Sequence, residues 1–103
     1  IRMSSLMRVA ESVEVPNTHQ LSQNFPNPFN PLTRITYGVG SREYVSLNVY
    51  NILGQDVATL ATGFREPGTY EVTFDGSGLA SGIYFYRLSV NGRSTTKAMV
   101  LLR

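Results

Sequence analysis

A chain of 103 residues, 42% hydrophobic and 16% charged, has room for one compact domain and little beside it. The formal charge is +2 and no two of the nine Lys and Arg are adjacent, which argues against a nucleic-acid partner. No cysteine is present to form a disulfide or a Cys/His zinc site, and no apolar run reaches the 18 residues that a membrane-spanning helix needs.

Residues 1–20 read as a linker or as the tail of a preceding domain. The stretch 2–11 suits a short helical turn or an extended segment, and Val13, Val15 and Pro16 favour an extended continuation. The chain opens on Ile1 rather than Met, so the expectation is a piece of a longer protein, and with no charged leader before an apolar stretch any export signal of that parent is expected to lie outside this piece. The folded domain is expected over 21–103.

Residues 23–31 hold three of the five prolines together with Phe25 and Phe29. Each proline ring fixes φ and removes a donor, which excludes a helix and stiffens the segment. A solvated linker has little use for two large aromatic rings. The expectation is an extended segment whose Phe25 and Phe29 are both pinned onto a folded body.

From Leu21 onward short runs rich in Val, Ile, Tyr, Phe and Thr alternate with Gly, Asn, Asp and Pro. This is the pattern of a sandwich or barrel of short antiparallel strands. Strand 34–39 directs Ile35, Tyr37 and Val39 to one face, and strand 44–50 directs Val45, Leu47 and Val49 inward with Ser46 and Asn48 outward. Residues 51–54 turn the chain, 55–60 return beside it, and 63–68 form a loop. Tyr70, Val72 and Phe74 then face inward, and a polar break follows at 75–78. Strands 83–90 and 94–102 flank Asn91-Gly92, the pair that suits a type I′ hairpin. Ile83 and Phe85 lie opposite Tyr84, Tyr86, Leu88 and Val90, so this strand is expected to be central or covered on its second face, the proline segment being a candidate cover. No sustained helical period occurs beyond residue 20. The fold class is all-β, and a core this small makes each core side chain costly to lose.

Residues that could carry chemistry are sparse. His19 is the only histidine and sits in the expected linker, which leaves a nucleophile without a supported base. Glu71 and Asp75 share a strand face, but solvated outward charges are favoured over a calcium site. No glycine cluster has the spacing of a phosphate-cradling loop. The six tyrosines suit packing better than stacking on sugars. No catalytic residue, metal or cofactor is expected.

Four ordered blocks point further: Leu21-Ser22-Gln23-Asn24-Phe25-Pro26-Asn27-Pro28-Phe29-Asn30-Pro31; Val45-Ser46-Leu47-Asn48-Val49-Tyr50-Asn51-Ile52-Leu53-Gly54; Leu79-Ala80-Ser81-Gly82-Ile83-Tyr84-Phe85-Tyr86-Arg87-Leu88; and Lys97-Ala98-Met99-Val100-Leu101-Leu102-Arg103. Together they resemble the type A C-terminal sorting domain of the type IX (Por) secretion system, which is itself similar to the Ig-like domain of flagellar hook-capping proteins. The resemblance implies an Ig-like antiparallel β-sandwich of about seven short strands over residues 21–103. It also implies a sorting signal marked by Pro26, Asn27, Pro28, Gly82, Tyr84, Lys97, Val100, Leu101, Leu102 and Arg103.

The partners implied are an outer-membrane translocon, an N-terminal cargo domain in the same chain and a sortase-like peptidase cutting within or before residues 1–20. The destination implied is the cell surface or the medium, reached through the periplasm. A final strand with a free edge could add to a receptor sheet, and edge strands could also support weak self-association. Two other classes stay open at this point, a structural Ig-like spacer and a carbohydrate-binding β-sandwich.

Overall fold

The structure, a computed structural model, describes residues 19–103. Seven strands follow one another: β1 (Gln20–Leu21), β2 (Leu32–Val39), β3 (Glu43–Tyr50), β4 (Asp56–Arg65), β5 (Gly68–Asp75), β6 (Gly82–Val90) and β7 (Arg93–Leu101). They form a three-stranded sheet in the order β1-β2-β5 and a four-stranded sheet in the order β4-β3-β6-β7. All the strand pairs are antiparallel, in keeping with the Ig-like sandwich expected. No helix occurs among the described residues.

Period-two alternation builds the core. Val45, Leu47 and Val49 of β3 are fully buried, and β6 buries Tyr84, Tyr86, Leu88 and Val90 between its neighbours β3 and β7. Across the sandwich, β2 contributes Thr33, Ile35, Tyr37 and Val39, and β5 contributes Phe74 with half-buried Tyr70 and Val72. The Tyr37 and Tyr70 rings stack at 5.4 Å. Asn91 (φ +51°) and Gly92 (φ +78°) both take the positive φ that a type I′ turn demands, so the hairpin forms as its sequence requires.

Three expectations are corrected. First, β4 does not end at residue 60: it continues through Gly63, which pairs with Val45, to Arg65. Backbone pairing to β3 outweighs the local signal for a loop, and the strand absorbs the mismatch in register shifts next to Leu47 and Val49. Second, Phe29 is 1% exposed but Phe25 is 68% exposed. Third, the proline segment does not cover Ile83 and Phe85. It runs along the edge of β7 and leaves Ile83 49% exposed on the outer face of the four-stranded sheet.

The path of that segment explains the last two corrections. Around Phe25 it pairs with Arg34 at the edge of the three-stranded sheet, donating Phe25 N–H to Arg34 O (2.9 Å) and accepting Arg34 N–H at Phe25 O (2.8 Å). By Phe29 it has crossed to the four-stranded sheet, where it runs parallel to Leu101. The crossing turns one ring outward and the other into the core. The sandwich has two distinct ends as a result. His19, residues 40–42, residues 66–67 and Asn91-Gly92 lie at one; residues 26–31, 51–55, 76–81 and 102–103 lie at the other.

Candidate recognition site

The prolines fall where no backbone donor is needed. Pro26, Pro28 and Pro31 stand between bonded neighbours, and the carbonyls of Pro26 and Pro31 accept from the Thr33 hydroxyl (2.8 Å) and Gly76 N–H (2.8 Å). Phe29 N–H donates to Val100 O (2.9 Å), and Leu102 N–H donates to Phe29 O (3.0 Å). Between these bonds the Asn27 side chain accepts Val100 N–H at Oδ1 (3.0 Å), standing in for a backbone acceptor. The Gln23 amide adds a bond to Ala98 O (2.7 Å).

Residues 98–102 therefore do not present the open edge expected of the terminal strand. Val100 and Ala98 point their backbone groups at the proline segment. By alternation only Ser94 and Thr96 direct theirs outward beyond it. Replacing Asn27 with Ala removes the acceptor for Val100 and is expected to cost about 1 kcal/mol. The check is a shift of the urea midpoint with unchanged slope.

A buried polar network anchors the segment from beneath. The Tyr86 hydroxyl accepts Asn24 N–H (2.8 Å) and donates to Ser22 O (2.7 Å), and Asn24 Nδ2 donates to Thr33 Oγ1 (3.0 Å). Asn24 and Thr33 are 2% and 1% exposed. No local sequence signal distinguishes these two polar residues from solvated ones, because what buries them is the segment's crossing between sheets.

Tyr86→Phe keeps the packing but leaves Asn24 N–H without its partner, an expected loss of about 1–3 kcal/mol. Burial raises the Tyr86 phenol above its ordinary value, outweighing the Asn24 bond, so the folded state holds this proton more tightly than the unfolded chain. Its contribution is whole below an unfolded pKa of about 10 and is lost as pH rises through the higher folded value. The melting temperature is expected to fall more steeply above about pH 10 in the wild type than in Tyr86→Phe.

The other residues singled out by sequence divide by role. Gly82 opens β6 with φ +154°, outside the range that side chains favour, opposite Leu101. Tyr84 is buried and donates its hydroxyl to Ala80 O (2.7 Å), four residues upstream at the start of an inner strand. That is the tyrosine corner of Ig-like sandwiches. Leu101 is fully buried, Val100 is half-buried, and Leu102 is 54% exposed. Arg103 folds back, its N–H donating to Ser81 Oγ (2.9 Å) and its guanidinium to Leu79 O (2.6 Å).

Nine of the ten marked positions thus meet at one end of the sandwich. Lys97 does not join them: it lies opposite Tyr86 in mid-strand, half-buried, with no carboxylate paired to it among the described residues.

Elsewhere the chemistry is spent on structure. His19 Nδ1 accepts Gly40 N–H (3.1 Å), tying the start of the described chain to the loop after β2. Asp75 Oδ1 accepts the Ser77 hydroxyl (2.6 Å) and N–H (2.9 Å), and these bonds hold its carboxyl below the ordinary carboxylate value. Among the described residues no three His, Cys, Asp or Glu gather as metal ligands. Tyr37, Tyr84 and Tyr86 are buried, and Arg87 lies over the Tyr50 ring at 4.6 Å.

A family model described as the secretion system C-terminal sorting domain, that of the Por system, matches residues 23–102. The chain belongs to this family. It is a type IX sorting domain, a non-catalytic targeting module that sends the protein carrying it to secretion or to the cell surface. Among curated proteins none matches the chain. The crystal structure of dimeric latent PorU from Porphyromonas gingivalis is similar over 82% of this chain, with TM-score 0.61 and 24% sequence identity. The chain spans 9% of that protein, and at this identity the likeness is one of fold.

Proposed function

We propose that the sorting domain is read, as a folded unit, by the outer-membrane translocon of the type IX system, at the end of the sandwich where residues 24–31 and 98–103 bond to each other. The observation that supports this is the position of that end. Chain ahead of His19 joins at the opposite end, beside Gly40, so a cargo domain preceding it is attached away from the residues the translocon must meet.

A carrier of many cargos needs a surface common to all of them, and this end provides one. The residues ahead of His19 then connect cargo to sandwich and offer a sortase-like peptidase its cutting site. In this reading Pro26, Asn27, Pro28, Val100 and Leu102 act as one bonded surface rather than as an open terminal strand, with buried Leu101 holding it to the core. Gly82, Tyr84 and Arg103 fix the loop beneath it, and Lys97 lies outside the contact. The domain acts at the membrane surface after folding in the periplasm.

The test compares a periplasmic reporter ending in residues 1–103 with one ending in residues 1–18, in a bacterium that carries the type IX machinery. The longer fusion is expected at the surface or in the medium, and the shorter one is expected to stay in the periplasm. Equal export of both would sink the proposal.

A further inference from the structure

The outer face of the four-stranded sheet carries a group of apolar side chains that the fold does not use. Ile52 and Leu53, at the turn after β3, are 70% and 79% exposed. On β6, Ile83 and Phe85 point away from the core face formed by Tyr84 and Tyr86; Phe85 lies opposite Tyr50, and Ile83 lies opposite Val100. Val100 and Leu102 alternate with buried Met99 and Leu101 and so share that outer face, with Leu102 54% exposed. A shallow hollow of ≈260 Å³ lies between Tyr50, Ile52, Phe85 and Arg87. Contiguous apolar surface of this kind marks contact sites in small soluble domains.

Charge and attachment narrow the occupant. Arg87 is held over the Tyr50 ring and donates to the Tyr50 hydroxyl (2.7 Å), and its guanidinium has no carboxylate partner among the described residues. The hollow is mixed, with Asn51 and Thr96 beside Ile52 and Phe85, and a fixed cation next to exposed Ile52 complements an apolar surface that carries a carboxylate. Around the exposed turn Asn51, Gly54, Gln55 and Asp56 add no cation to Arg87, short of the basic cluster that draws a protein onto anionic lipid. The chain ahead of His19 joins at the far end of the strands, about eight residues or 25 Å away, which leaves this face clear of an attached cargo.

We infer that this face, centred on Ile52, Leu53 and Phe85 with Arg87 at its rim, is the docking surface for a protein of the secretion machinery that offers an apolar patch bordered by a carboxylate. The inference rests on the sorting function proposed above. Ile52 and Leu53 are its anchors, and Arg87 sets orientation.

The test uses the reporter ending in residues 1–103, with I52S and L53S combined, with R87E, and with L32S as a control on the outer face of the other sheet. Both patch variants are expected to melt as the wild type does, yet to reach the surface or medium about tenfold less, the loss that follows removal of interface anchors. L32S is expected to export normally. Retention of wild type and variants alike would overturn the sorting reading and the inference with it. Export of the wild type and the folded patch variants alike would overturn the inference alone. Cosedimentation of the 1–103 chain with phosphatidylethanolamine and phosphatidylglycerol vesicles, lost in the I52S and L53S variant, would overturn it in favour of lipid. A wild-type dimer made monomeric by the same changes would overturn it in favour of a second copy.

Discussion

Removal of residues 99–103 is expected to abolish the cooperative unfolding of the domain, so that export is lost through the fold and not through a missing tag. Met99 and Leu101 are fully buried, and each is worth about 2–5 kcal/mol by comparison with truncation of similar core side chains. Val100 and Leu102 also bond the proline segment, which would lose three of its hydrogen bonds at once. Small domains are stable by about 5–15 kcal/mol in total, and this loss consumes most or all of that. Circular dichroism on heating provides the check. A truncated chain that still melts cooperatively near the wild-type temperature would contradict this account of the strand.

Phe29→Ala is expected to cost about 3–5 kcal/mol, against less than about 1 kcal/mol for Phe25→Ala. The Phe29 ring is buried edge-on to Phe74 at 5.9 Å and lies against Gly76, where an added Cβ would come within 3.2 Å of it. The Phe25 ring is exposed beside Leu32, though its backbone closes the bridge to Arg34. At about 4–8 °C per kcal/mol for a domain of this size, Phe29→Ala should lower the melting temperature by more than 10 °C and Phe25→Ala by only a few. Equal shifts would mean that the two rings share an environment.

The same pair shows where sequence runs out. Residues four apart on an uninterrupted strand fall on the same face, so alternation alone assigns both rings to the body. The chain switches sheets between them, a tertiary event driven by pairing with Arg34 on one side and with Val100 and Leu102 on the other. Strands β3 and β6 were legible because their buried residues alternate without interruption, and the β6–β7 hairpin because Asn-Gly has few other good uses there. The full length of β4 was not, since Gly63 signals a loop until its partner Val45 is known.

For the proposed recognition site, sequence marked positions that the fold brings together at the distal end but not their bonding. The blocks around Pro26, Gly82 and Val100 stand far apart in the chain, and what unites them is the antiparallel return of β7 beside β6 and the parallel run of the proline segment along β7. That geometry also replaces the free terminal edge with a closed one. A receptor that adds a strand to β7 would have only Ser94 and Thr96 to pair with. A receptor that reads a surface has the whole distal end.

The most direct test of recognition by the type IX machinery is the cellular position of a periplasmic reporter ending in residues 1–103, in isogenic strains with and without the outer-membrane translocon. Surface-exposed or released reporter is expected with the translocon, and intact periplasmic reporter without it. Equal export from both strains, or retention in both of a fusion whose sorting domain is folded, would contradict it.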